Sequence, residues 1–86
     1  MQSLGLDGLP VGASGIVEQV ALPDEAQRLA LALRLIEIGF MPGERVEVLA
    51  CGPAGREPIA VRVGRSTFAL RRHEAALVQV QPEVRA

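Results

Sequence analysis

The apolar residues of this chain change their spacing once, between Ile38 and Glu44, and that change constrains the fold more than any other feature. Before it, Leu29, Leu33 and Ile36 recur at helical spacing. Leu31, Leu35 and Ile38 form a second apolar row, while Arg28, Arg34 and Glu37 lie elsewhere on the wheel. After it, Val46 and Val48 alternate with Arg45 and Glu47, the period of a strand with one buried face. Gly39 supplies the left-handed residue that closes a helix, and Pro42-Gly43 turns the chain into the strand. The spacing predicts a helix from Asp24 to Ile38, with Asp24 as its cap and Gln27 completing a capping-box arrangement. Glu25 falls where the positive end of the helix dipole favours a carboxylate.

The remaining segments read as short strands. Gly15 to Leu22 is rich in β-branched residues and is ended by Pro23. Gly52 to Pro58 is turn-rich, and beyond it Ile59, Val61 and Val63 share a face. Gly64-Arg65-Ser66 makes a hairpin connection into Thr67 to Leu70, with Phe68 and Leu70 inward. One helical turn at Arg72 to Ala75 precedes a last strand, Leu77 to Val80. Five short strands joined by tight turns, with one α-helix inserted after the first, fit a mainly β, small antiparallel barrel, because closing a sheet removes its exposed edges. Eighty-six residues allow one domain with a modest core. We place it at residues 1–80, with 81–86 as a loose C-terminal tail.

Composition then excludes several functional classes. The chain is 49% hydrophobic and 22% charged, as ordinary globular proteins are, and its formal net charge of −1 exerts no overall pull toward nucleic acid or an acidic membrane. Phe40 and Phe68 are its only aromatic residues. Stacking platforms for single-stranded bases are therefore missing, as is the aromatic groove that polyproline ligands require. The single cysteine, Cys51, has no partner for an intramolecular disulfide, which suits a reducing compartment. Met1 to Leu6 lacks the charged start and apolar run of an export signal. The apolar stretch Leu29 to Leu33 is stopped by Arg34, far short of the ~20 residues of a membrane-spanning helix. We expect a cytoplasmic protein with no direct membrane insertion and no nucleic-acid partner.

The segment Arg34-Leu35-Ile36-Glu37-Ile38-Gly39-Phe40-Met41-Pro42-Gly43-Glu44-Arg45-Val46-Glu47-Val48 resembles the central signature of the FeoA family: a helix ending in Leu-x-Glu-hydrophobic-Gly that passes through Pro-Gly into a Val-rich strand. Pro58 to Gly64 and Phe68 to Ala75 are similar to that family's closing strands, and Leu9 to Gly15 resembles its opening. The resemblance runs from Ser3 to Val80; Gly55-Arg56-Glu57-Pro58 departs from it, where members often carry a shorter Gly-Asp-Pro turn. It implies an SH3-like barrel and a non-enzymatic cytosolic accessory of bacterial ferrous-iron uptake. The partner implied is the membrane ferrous-iron permease with its N-terminal GTPase domain, whose contact would hold the chain at the periphery of the inner membrane. A metal-responsive binding module, resembling the SH3-like domain of iron-dependent repressors, is the alternative. A repressor needs an upstream helix-turn-helix, and none is read in these residues.

Three groups of residues are candidates for a site. Between Glu57 and Glu74 every charge is positive, and strand parity directs Arg62 and Arg71 away from the core. With Arg72 they suit an acidic or phosphate-bearing protein surface. Leu35 and Met41, on the helix and at its exit, are more apolar than a solvated surface prefers, and suit protein docking or a homodimer. Cys51, His73 and Glu74, with Glu57 as a further oxygen donor, are ligand types for zinc or ferrous iron. One chain hardly fills four positions, so a two-fold dimer would have to complete such a site. No cofactor is required by any motif, and catalysis by a Cys51–His73 pair lacks supporting pattern.

Overall fold

A computed structural model of the chain describes residues 3–83, the side chains of residues 55 and 56 excepted. The strands are β1 (Leu4–Gly5), β2 (Ser14–Val20), β3 (Arg45–Gly52), β4 (Arg56–Val63), β5 (Ser66–Leu70) and β6 (Val78–Pro82). Helix α1 (Ala26–Ile38) follows β2, and α2 (Arg72–Ala75) is a single turn between β5 and β6. The strands form one antiparallel sheet in the order β1-β6-β2-β3-β4-β5. The expected mainly β architecture with one inserted helix is present, with two differences. A sixth strand, β1, pairs Leu4 with Val80 and Gly5 with Gln79, and two residues are too few to show an alternating pattern in sequence. The barrel is also not closed by strand pairing among the described residues, since β1 and β5 stand at the two ends of the order.

Local chemistry fixes the ends of α1. The cap is Glu25 rather than Asp24: its carboxylate accepts from the backbone N–H of Arg28 at 3.0 Å and of Gln27 at 3.3 Å. At the other end Gly39 has φ 126° and ψ 0°, and Phe40 N–H returns to the Leu35 carbonyl at 3.1 Å. A β-carbon there would have space, its nearest neighbour being Val63 Cγ1 at 3.9 Å, so the demand for glycine is conformational. Gly39→Ala is expected to lower stability by about 1–2 kcal/mol, read as a shift in the denaturant midpoint at unchanged slope.

Two β-bulges decide which residues face inward. In β3 the register passes from Val48↔Val61 to Ala50↔Ala60, inserting one residue, so the inward set changes from Val46 and Val48 to Cys51, opposite Ile59. In β2 it passes from Val17↔Val80 to Gln19↔Gln79, and burial jumps from Val17 to Val20. Gly15 lies tight against β6: a β-carbon would lie 2.8 Å from the Gln81 carbonyl oxygen. The turn-rich segment is a 3-10 turn at Pro53–Gly55, followed directly by β4, with a cis peptide between Glu57 and Pro58.

Gln81 and Pro82 continue β6, opposite Ile16 and Gly15, and the Glu83 N–H donates to the Ser14 carbonyl at 2.9 Å. Arg45 fastens this end, with Nε 2.7 Å from Glu83 Oε1 and Nη2 2.9 Å from the hydroxyl of buried Ser14. Residues 84–86 of the expected tail, and Met1 and Gln2 of the expected start, lie outside the described residues.

The core gathers Leu6, Val17, Phe40, Val46, Val61, Val78 and Val80, all with essentially no exposure. Helix α1 turns toward it Leu31, Ala32, Leu35, Ile36 and Ile38, so the expected row of Leu31, Leu35 and Ile38 faces inward while the other row is split, with Ile36 packed on the core and Leu33 outside it. Leu35 is 2% exposed, whereas Leu33 is 51% exposed. This corrects the reading of Leu35 as a surface docking residue: its side chain is part of the core.

Candidate functional site

The apolar row of α1 and strand β5 form the two walls of a groove of about 300 Å³. One wall is Leu31, Leu35 and Ile38, three and four residues apart on one helix face. The other is Phe68, Ala69 and Leu70, three consecutive residues of β5. Successive strand side chains point to opposite faces, so a groove lined by three in a row opens along the strand's edge. Phe68 is positioned by Phe40, their ring centroids 6.1 Å apart and the planes tilted by 52°. Arg34 and Glu74 stand at the rim. Glu74 is held by its role in α2, where it accepts from the Arg71 N–H at 2.6 Å.

A second depression, of about 330 Å³, shares Ile38 with the first and continues past Gly39 to Met41, Glu44 and Arg65. Met41 is 51% exposed, and with Ile38 it extends the apolar surface around the helix exit. Sequence reasoning singled out Met41 and missed the wall supplied by β5. The signal was weak: Phe68 and Leu70 read only as inward residues, and the pattern does not reveal that this strand and α1 line one groove.

The arginines are distributed over β4, the Gly64-Arg65 turn and the start of α2. Arg62 is exposed on β4 and reaches across the ladder to Glu47, Nη1 to Oε1 at 3.2 Å. An exposed pair of this kind contributes about 0.2–1 kcal/mol and leaves the guanidinium accessible. Arg71 is exposed at the start of α2. Arg72 donates its backbone N–H to Glu57 Oε2 at 2.7 Å and its Nη1 to the Asp7 carbonyl at 3.4 Å, which ties it to β4 and to the 3-10 turn Leu6–Gly8.

The proposed metal ligands do not converge within one chain. Cys51 is half-buried and opens onto a different pocket of about 300 Å³, beside Val48, Ile59, Asp7 and Arg72. Glu74 faces the α1–β5 groove, and His73 is exposed on α2. Among the described residues no three His, Cys, Asp or Glu side chains come close enough to hold a metal ion. The set Cys51, His73 and Glu74 is therefore not a single-chain site. Among the described residues no helix is long and apolar enough to cross a membrane.

Comparison with known proteins places this architecture. A crystal structure of a zinc-complexed FeoA from Stenotrophomonas maltophilia, described as a procaryotic SH3 domain protein, is 45% identical, with 91% of this chain and 89% of that one covered and a TM-score of 0.81. A FeoA-like protein from Clostridium acetobutylicum shares the fold at 20% identity, covering 100% of this chain and 93% of that one, with a TM-score of 0.83. A manganese-dependent transcriptional repressor contains the same fold in 42% of its length, covering 94% of this chain at 21% identity, with a TM-score of 0.77. A search among curated proteins finds no match. The family model for the FeoA domain matches residues 4–82, nearly the whole described chain from β1 to the end of β6, and the chain belongs to the FeoA family.

Proposed function

We propose that this chain is a non-enzymatic accessory of ferrous-iron uptake that regulates or assembles a membrane iron permease through contact with its cytosolic GTPase domain. Membership of the FeoA family supports the link to iron uptake, and the 45% identical relative is itself described as a candidate ferrous iron transport activating factor. The observation that carries the contact reading is the surface around α1 and β5: an apolar groove with Arg34 and Glu74 at its rim, exposed Met41 and Arg65 in the adjoining depression, and exposed Arg71 directly after β5. Such a surface suits docking of a partner with apolar and acidic groups. Cytosolic localisation follows from this role.

The test is a pull-down of the tagged chain against the detergent-solubilised permease and its isolated GTPase domain. Wild-type protein is expected to retain the partner, and the exposed substitutions Met41→Glu and Arg71→Ala to lose it while shifting stability by no more than about 0.5 kcal/mol. Failure of both targets to bind, with and without nucleotide, overturns the reading. A second reading, metal responsiveness, draws support from the zinc in the relative's structure. It requires Cys51 and His73 from two copies, and it predicts that added zinc changes both the oligomeric state and the pull-down.

A further inference from the structure

We propose that the slot between α1 and the free edge of β5 takes an extended, acid-flanked segment of a partner protein as a seventh strand. The inference deepens the partner-contact reading and rests on it for the identity of the partner only. β5 pairs with β4 alone, from Val63↔Ser66 to Ile59↔Leu70, and among the described residues no backbone hydrogen bond reaches it on its other side. The two-residue turn Gly64-Arg65 makes Val63 and Ser66 a mutually hydrogen-bonded pair. Alternation then gives the same role to Phe68 and Leu70 and directs the N–H and C=O groups of Thr67 and Ala69 outward. These exposed groups are a template for another strand.

The surroundings favour a foreign segment of definite chemistry. A strand laid on this edge would send alternate side chains against Leu31 and Ile38, so the groove supplies apolar selection beside the backbone bonds. Ser66, Thr67 and Ala69 carry no charge, so the edge lacks the lysines and inward charges that usually blunt such strands. Arg65 and Arg71 bracket it instead. Neither makes an ion pair among the described residues, and Arg71, at φ −79° and ψ 159°, prolongs the extended line of β5. A second copy fits poorly: antiparallel self-pairing centred on Phe68 sets Arg65 of one chain opposite Arg71 of the other at both ends, and like charges directly opposed are destabilising. A segment of uncharged β-formers with Asp or Glu at each end turns both positions into attraction.

The experiment selects random twelve-residue peptides displayed on phage against the tagged wild-type chain, then measures recovered peptides by titration and amide hydrogen exchange. Recovered sequences are expected to carry an uncharged run flanked by acids and to slow exchange at Thr67 and Ala69. Ala69→Pro removes only an outward N–H and leaves the β4–β5 ladder intact, and it should weaken binding by about tenfold for each bond lost. N-methylation of alternate peptide amides should do the same without altering the protein. No enrichment, equal binding by Ala69→Pro, or unchanged exchange at both amides overturns the proposal. So does protection that grows with concentration in the absence of peptide, which assigns the edge to a second copy. Permease binding that survives Ala69→Pro defeats the slot and spares the iron-uptake reading, whereas peptide binding without permease binding does the reverse.

Discussion

Leu35→Glu is expected to abolish the cooperative unfolding transition, leaving a chain with a collapsed amide spectrum under conditions where the wild type is folded. Leu35 is 2% exposed, on the face of α1 that meets the core. Its replacement forfeits about 1.5–3 kcal/mol of apolar burial and places a carboxyl where no partner is provided, at a further cost of several kcal/mol. A chain of this size has only about 4–13 kcal/mol of stability in total. Leu35→Met is the control and should cost less than about 1.5 kcal/mol, because it conserves volume and polarity. A folded Leu35→Glu variant that has lost partner binding would show that the side chain is a docking residue after all.

Phe40→Ala is the second large effect, with an expected loss of about 3–5 kcal/mol. Phe40 has no exposed surface and stands at the junction of the helix exit, the start of β3 and the β5 wall, packed on Phe68 at 6.1 Å. The cavity left behind should loosen Phe68 as well, so the groove is expected to lose definition before the protein unfolds globally. Chemical denaturation measures the first effect, and hydrogen exchange across Thr67 to Leu70 the second. A loss below about 1 kcal/mol, or exchange in β5 that stays at the wild-type rate, would mean that α1 and β5 are held together by something other than this aromatic contact.

The two substitutions separate the roles of neighbouring apolar residues. Leu35 and Phe40 belong to the core, while Met41, at 51% exposure, adds little to it and presents its side chain to solvent. Within a few residues, then, stability and surface chemistry are divided between side chains that look alike in sequence. Ile38 belongs to both, since it lines each of the two depressions beside the helix.

Much of the fold was legible from local signals, because those signals act over a few residues. The change of apolar period at Gly39, the alternation of Val46 and Val48, the Gly64-Arg65 turn and the single helical turn at Arg72 to Ala75 all reflect backbone preferences and one-sided burial. The resemblance around Leu35 to Val48 added the family. Local signals failed where two segments had to meet. Choosing Glu25 over Asp24 as the cap depends on where the chain leaves β2, and pairing of Gln81 and Pro82 depends on a strand more than sixty residues earlier. The β3 bulge that turns Cys51 inward has no signature in composition, since an extra residue matters only relative to the partner strand. For the same reason three metal-ligand types could be read from the sequence but not their separation. Sequence by itself determined the elements other than β1 and the family they compose. Only the tertiary structure decided which row of α1 is buried, that β5 keeps a free edge, and that the two face each other across a groove, because each is a relation between distant segments set by packing.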